Sequence, residues 1–265
     1  MEPRKVLIVG AAGEIGAELT RRLPDELIHA HPDAGYELVT ADRRPLAPEV
    51  ARAFDGTFID LEIADLDRYT EACAGIDTVV HLAGERRPNA TWESLLPANV
   101  LGAYHAFEAA RRAGCRRIVF ASSVHAVGGY PPDVRIRADM APAPVTLYGA
   151  TKVWGESLAK VYSEAHGLSC LCLRIGWAGA RDDATKLRFR GAPAVYLTYE
   201  DAARLFAACI DAPDDVRFGI FHATSDNREP RLDLAETRAV LGYEPRDDGF
   251  ALLDALPSPD QAPGE

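Results

Sequence analysis

The 265-residue sequence has no apolar stretch approaching the roughly 20 residues of a membrane span, so no transmembrane helix is expected. No CxxC pair occurs among its five cysteines (Cys73, Cys115, Cys170, Cys172 and Cys209), and all lie in apolar segments. That pattern speaks against a zinc site or a disulfide framework, and for reduced core thiols in a cytoplasmic protein. Basic charge is short: 29 Lys plus Arg stand against 40 Asp plus Glu, a formal net charge of −11. Nucleic acid and anionic membrane surfaces are thereby disfavoured as partners, since both demand clustered cations. The first apolar run, Val6-Leu7-Ile8-Val9, is too short for a secretory core and leads straight into glycines, so no signal peptide is expected. Internal repeats and low-complexity blocks are also missing.

What is present is alternation. Val6–Val9, Glu37–Thr40, Thr78–Leu82, Arg117–Ala121 and Cys170–Arg174 are short, apolar and rich in β-branched residues, as buried strands are. Between and after them lie amphipathic segments, Glu14–Leu23, Leu66–Ala74, Asn99–Ala113, Leu147–Ala165 and Tyr199–Ala212. The pattern predicts an α/β chain: a Rossmann-like, doubly wound parallel sheet covered by helices on both faces. After Arg174 the rhythm breaks, and Trp177–Pro193 reads as an irregular excursion carrying Arg181, Lys186, Arg188 and Arg190. Phe218–His222 resembles one more strand, and Leu232–Leu241 a helix ended by Gly242. The expected division is residues 1–176 as the main nucleotide-binding core and 177–256 as a small C-terminal substrate lobe with returning core elements. Residues 257–265, with little that is apolar, are expected to be a disordered tail. Trp92, Trp154 and Trp177 read as packing residues.

The first strand runs into Gly10-Ala11-Ala12-Gly13-Glu14-Ile15-Gly16. Gly10 permits a tight turn off the strand, Gly13 lets backbone approach a pyrophosphate, and Gly16 lets the next helix pack closely. The N-terminus of that helix, at Glu14 and Ile15, would aim free N–H groups at the phosphates. The second strand ends in Asp42, whose carboxylate suits the ribose hydroxyls of NAD and repels a 2′-phosphate. Arg43 and Arg44 complicate that choice, because either could neutralise a 2′-phosphate or stack on adenine. Asp60-Leu61 sits where a carboxylate could reach the adenine amino group; a helix cap is the plainer reading of Asp60.

Tyr148-Gly149-Ala150-Thr151-Lys152 places a phenol and an ammonium four residues apart, on one face of a helix. A neighbouring cation, and the positive nicotinamide ring of an oxidised cofactor, would both favour the phenolate and pull the tyrosine pKa toward neutrality, making Tyr148 a usable base. Ser122-Ser123 end a strand whose carboxyl end should face the ligand, so the Ser123 hydroxyl could hold a substrate oxygen.

With these residues the chain resembles the short-chain dehydrogenase/reductase family in its extended branch, the NAD-dependent epimerases and dehydratases. The resemblance runs from about Lys5 to Asp248. It rests on the glycine triplet, Asp42, Asp60-Leu61, His81-Leu82-Ala83-Gly84, Asn99, Ser122-Ser123, Tyr148-x-x-x-Lys152 and Leu241-Gly242-Tyr243-Glu244-Pro245. It implies NAD as cofactor, Tyr148 as general base, Lys152 on the nicotinamide ribose, and Ser123 as the substrate-polarising hydroxyl. Leu82, Ala83 and Gly84 would line the cofactor, Ile175 would pass under the nicotinamide, and Asn99 would lie near the active site unless it is only a helix N-cap. Family members commonly pair through the helices around Asn99 and Tyr148, so a homodimer is the default expectation.

Within the branch the chain is similar to the uronate dehydrogenases in Arg117-Ile118-Val119-Phe120-Ala121-Ser122-Ser123-x-His125, in Leu147-Tyr148-Gly149 and in Leu173-Arg174-Ile175-Gly176. It departs from them at Val124, where they usually carry asparagine, and in the charged loop Glu85-Arg86-Arg87-Pro88. Members acting on nucleotide sugars are longer, the surplus building a lobe for the nucleotide. Roughly 90 residues follow Arg174 here, which favours a bare sugar acid. A uronate carboxylate would be gripped by an arginine, with Arg86, Arg188 and Arg190 as candidates. His125 could bond a sugar hydroxyl, or be a satisfied histidine under the loop. The expected activity is oxidation of C1 of a hexuronate to an aldarolactone. The alternatives are a sugar or nucleotide-sugar epimerase or dehydratase, and a non-catalytic dinucleotide sensor.

Overall fold

A computed structural model describes residues 3–30 and 35–257, so the expected tail beyond Pro257 lies outside the described residues. In chain order the elements are β1 (Arg4–Val9), α1 (Glu14–Ala30), β2 (Tyr36–Asp42), α2 (Pro48–Ala53), β3 (Thr57–Asp60), α3 (Leu66–Ala72) and β4 (Thr78–His81). Next come α4 (Trp92–Leu95), a π-helical turn (Leu96–Leu101), α5 (Gly102–Ala113), β5 (Arg117–Ser123), a 3₁₀ turn (Val124–Val127), α6 (Leu147–His166) and β6 (Ser169–Ile175). The chain closes with β7 (Trp177–Gly179), α7 (Ala184–Leu187), β8 (Tyr196–Thr198), α8 (Tyr199–Asp211), β9 (Phe218–Ala223), α9 (Ala235–Leu241) and α10 (Gly249–Asp254).

Seven parallel strands form one sheet in the order β3-β2-β1-β4-β5-β6-β9. Side chains alternate along each strand, so consecutive residues feed two separate cores. Val6, Ile8, Val119, Leu171 and Leu173 pack under α1 and α8, with Leu19, Leu23 and Phe206. Leu7, Val9, Ile118, Phe120 and Cys172 pack under α3, α5 and α6, with Tyr69, Phe107 and Tyr162. Both faces are covered, and the doubly wound expectation holds. All five cysteines are free and buried. Strand order reverses between β1 and β4, where the N–H groups of Leu82 and Ala83 both donate to the Val9 carbonyl, at 2.8 and 3.1 Å. That reversal opens a crevice at the carboxyl ends of the strands.

Four elements differ from the sequence reading. α1 does not stop before Pro24: Leu19, Leu23 and Leu27 are fully buried, and this stripe carries the helix through the proline. β3 was not expected; it is four residues at the sheet edge with mostly exposed side chains, so it has no apolar signature. Asn99 does not start a helix but sits inside the π-helical turn, a wide turn that also accommodates Pro97, so it is not an N-cap. Leu232 belongs to an isolated bridge with Ile136 rather than to α9, which begins only at Ala235. The excursion after β6 is also less irregular than expected, since β7 pairs with β8 in a small parallel ribbon.

Candidate active site

Gly10 leaves β1 at φ 95°, a conformation closed to most side chains, and a Cβ there would lie 2.6 Å from the Ala83 backbone nitrogen. A Cβ on Gly16 would lie 2.2 Å from the Gly10 carbonyl oxygen, so this glycine seats α1 against the turn itself. A Cβ on Gly13 meets only the Gly10 carbonyl oxygen, at 3.1 Å. The space over Gly13 is otherwise open, directly before the helix. The first N–H groups of α1, those of Glu14, Ile15 and Gly16, have no acceptor within the helix. Donor chemistry, dipole and space together fit a pyrophosphate.

Asp42 at the end of β2 accepts from the Ala12 N–H at 3.0 Å and from the Arg44 N–H at 3.0 Å, which fixes its carboxylate beside the glycine turn. Arg44 lies over that corner and donates to the Ala12 carbonyl at 3.2 Å. Arg43 turns away instead, its guanidinium 3.7 Å from Glu62. Asp60 neighbours Asp42 across β2 and β3 and is exposed, whereas the Leu61 side chain is buried and its N–H donates to the Asp42 carbonyl at 3.1 Å. Leu61 therefore braces this corner, and the Asp60 carboxylate is left exposed beside it.

Thr146 caps α6, its hydroxyl accepting from the Gly149 N–H at 3.0 Å. One face of that helix then presents Tyr148, Lys152 and Glu156 to the sheet, and all three are buried. The approach is close: a Cβ on Gly149 would lie 2.3 Å from the His125 carbonyl oxygen, and one on Gly155 would lie 2.3 Å from the Phe120 ring. Ser123 ends β5 beside Ile175 of β6 and accepts from the His125 N–H at 3.2 Å. His125 lies in the 3₁₀ turn rather than on an extended strand, and its ring meets the Tyr148 ring edge-on at 5.4 Å. Burial lowers the His125 pKa, so the ring is neutral at pH 7.

The Lys152 ammonium sits over the Tyr148 ring, on the face that the sequence spacing implied, with its hydrogen bond made elsewhere. It donates to the Ala121 carbonyl at 2.8 Å and lies 5.6 Å from the centre of the Tyr148 ring. Burial pushes its pKa down to about 8. Burial also raises the Tyr148 phenol above its ordinary range; the Ser123 hydroxyl hydrogen bond and the Arg86 charge oppose this, and Glu85 adds to it. Without the nicotinamide charge on which the expected depression also drew, desolvation exceeds what the neighbouring charges return.

Asn99 clasps the loop after β4. Its Oδ1 accepts from the Glu85 N–H at 2.7 Å, while its Nδ2 donates to the Glu85 carbonyl at 2.9 Å and to the Thr151 hydroxyl at 3.1 Å. A Cβ on Gly84 would lie 3.1 Å from the Asn99 Oδ1 and 3.9 Å from the Lys152 ammonium, so loop, asparagine and lysine share one wall. Arg86 from this loop reaches Glu14 at 2.6 Å. Arg188 and Arg190 are exposed, and Arg188 bonds the Pro257 carbonyl. Of the three candidate arginines, Arg86 is the one tied both to the glycine turn and, through its charge, to Tyr148.

Several residues were missed at the sequence level. Lys186 and Tyr199 both bond Glu14. Beneath the site, Arg174 makes a two-pronged bond to Glu156 at 2.9 Å on each arm, and the Ser122 hydroxyl donates to the same carboxylate at 2.6 Å. A partial signal for this pair existed: an arginine within an apolar strand requires buried acceptors, and Glu156 follows Lys152 by one helical turn, although Arg117 in β5 finds its acceptors among backbone carbonyls instead.

Residues 6–189 match the model of the NAD dependent epimerase/dehydratase family. The chain belongs to that family. It is 33% identical over 256 residues to NAD-dependent glucose-6-phosphate dehydrogenase of Haloferax volcanii, covering 91% of this chain and 93% of that protein. It is 32% identical over 260 residues to uronate dehydrogenase of Pseudomonas putida, covering 96% and 90%. Among solved structures, uronate dehydrogenase from Agrobacterium tumefaciens superimposes with a TM-score of 0.79 at 30% identity, covering 98% of this chain and 92% of that one.

Proposed function

We propose that the protein is an NAD-dependent dehydrogenase that oxidises C1 of a hexuronic acid, galacturonate or glucuronate, to an aldarolactone. One observation carries the reading. Tyr148 lies at the carboxyl end of β5 with its ring edge-on to the His125 ring at 5.4 Å, and the Ser123 hydroxyl and the Arg86 charge both favour its phenolate. In this reading Ser123 holds the anomeric oxygen, Tyr148 accepts its proton, and His125 bonds a ring hydroxyl. Arg86, rather than Arg188 or Arg190, pairs with the acidic group of the sugar. NAD, when bound, supplies the hydride acceptor. The backbone of Gly10, Gly13, Glu14, Ile15 and Gly16 holds its phosphates, Asp42 its adenosine ribose and Asp60 its adenine. Leu82, Ala83, Gly84 and Ile175 line the nicotinamide half, and Asn99 fixes that wall. Lys152, which already faces the Gly84 wall, binds the nicotinamide ribose.

The two relatives named above differ in substrate, yet a hexuronate and glucose 6-phosphate share a pyranose with an oxidisable C1 and an acidic group at C6. A panel of glucuronate, galacturonate, glucose 6-phosphate and glucose with NAD, followed by reduced-cofactor absorbance, tests the assignment. Turnover of a uronate supports it, and turnover of glucose 6-phosphate alone moves the substrate to a phosphate. A protein that carries tightly bound NAD and shows no net reduction is an epimerase or dehydratase. Tyr148→Phe should abolish turnover and leave NAD binding intact; lost NAD binding would make the tyrosine structural.

Pairing of two copies through α5 and α6 is part of the same proposal. Tyr104, Trp154 and Val161 are exposed on these helices; Trp154, like Trp92, is more exposed than the core or loop packing expected of it, and its ring N–H donates to the Val100 carbonyl at 3.1 Å. Among the described residues no helix is long and apolar enough to cross a membrane.

A further inference from the structure

Three segments outside α1 converge on one carboxylate. Glu14 is the first residue of α1, immediately after the glycine turn. Arg86 reaches its Oε2 at 2.6 Å from the loop after β4, while Lys186 of α7 and Tyr199 of α8 both reach its Oε1. Lys186 is held there by the Ala178 carbonyl at 2.8 Å and by Asp183 at 3.5 Å. Burial alone would raise the Glu14 carboxyl, but the bonds from Lys186 and Tyr199 and the charges of Lys186 and Arg86 outweigh it and hold Glu14 below the usual carboxylate range. A guanidinium, an ammonium and a phenol arranged around an oxyanion are the donors a phosphate takes. The carboxylate that gathers them belongs to the residue directly after Gly13, where the dinucleotide reading puts the pyrophosphate. A glutamate at that position otherwise makes little sense, since its charge repels the ligand.

We propose that Glu14 is an internal occupant of the pyrophosphate site. In the ligand-free protein its carboxylate holds Arg86, Lys186 and Tyr199 together. An arriving pyrophosphate takes over Lys186 and Tyr199 and frees Arg86 for the acidic group of the sugar, so Glu14 sets dinucleotide affinity by competition, and Lys186 is a binding residue for the phosphates. The inference rests on the dinucleotide reading of the site. It implies that the segment bearing Lys186 is held against the glycine turn by a carboxylate in the free protein and by phosphate in the bound one.

The test is calorimetric titration of the full chain with ADP-ribose, which carries the pyrophosphate without nicotinamide, and with adenosine, which carries no phosphate. Glu14→Gln is expected to bind ADP-ribose about fivefold more tightly than the wild type, with adenosine unchanged, and Lys186→Met about fivefold more weakly. Equal or weaker ADP-ribose binding by a folded Glu14→Gln protein overturns the proposal. If that variant does not fold, undiminished binding by Lys186→Met overturns it instead. Tighter binding of glucuronate alone, without a gain for ADP-ribose, gives these donors to the sugar and also overturns it. A wild type that binds neither adenosine nor ADP-ribose removes the dinucleotide reading itself, a separate failure.

Discussion

Replacing Lys152 with methionine should stabilise this protein at pH 7 while removing its activity. The ammonium is buried, and its pKa falls from 10.5 to about 8 for that reason alone. A fall of that size means the charged form is disfavoured in the fold by about 3 kcal/mol relative to the unfolded chain. Methionine keeps an unbranched apolar side chain and carries no charge, giving up the ammonium's distant placement over the Phe120 and Tyr148 rings, at 5.3 and 5.6 Å. Against this stands the lost bond to the Ala121 carbonyl, worth about 1 to 1.5 kcal/mol. The net expectation is a gain of about 1 to 2 kcal/mol, or roughly 2 to 4 °C in Tm for a chain of this size. The pH dependence has a definite sign. Below pH 8 both folded and unfolded chains carry the proton, and the wild type bears the full penalty. Between about pH 8 and 10.5 the unfolded chain binds a proton that the folded chain does not, so wild-type stability climbs with pH and the advantage of the variant shrinks. Urea unfolding of both proteins at pH 7 and pH 9.5 reads this directly. A variant that is less stable at pH 7, or a difference that does not change with pH, would refute the reasoning.

The buried pair beneath the site behaves in the opposite way. Glu156 and Arg174 are 3% and 1% exposed, so Glu156→Gln leaves an uncompensated guanidinium and should cost about 3 to 5 kcal/mol in a denaturant melt; a loss below 1 kcal/mol would show that the pair is dispensable. At the adenosine end, Asp42→Ala removes the carboxylate beside the glycine turn and leaves Arg44 free of it. The ratio of NADP to NAD efficiency should rise about tenfold or more in steady-state assays, and an unchanged ratio would mean that Asp42 does not face the ribose.

Periodic features were legible in the sequence and singular ones were not. Six of the seven sheet strands announce themselves because burial on both faces demands continuous apolar runs, as in Arg117–Ser123 and Ser169–Ile175. β3 lacks that demand at the edge and leaves no trace. Tyr148, Lys152, Ser123 and the glycine turn were readable because each type has a fixed spacing and an unusual neighbour. The direction of the Lys152 ammonium was not, since spacing sets which helix face a residue shares, and the nearby carbonyls decide where its end points. The loop arginines were unreadable for a related reason. Arg86, Arg188 and Arg190 lie in segments without a period, and only the fold shows that one of them reaches Glu14 while another reaches Pro257.

The π-helical turn at Leu96–Leu101 has a consequence for how this enzyme family can vary. A wide turn of this kind holds one residue more than an ordinary turn, so removing that residue restores a continuous α-helix. Such a deletion would rotate everything on one side of the turn by about 100° against the other. The Asn99 amide would swing off the Glu85 peptide while Trp92 or Tyr104 moved to a new azimuth. Chain length at this single point thus acts as an angular setting that links the wall of the crevice to the outer surface of the molecule.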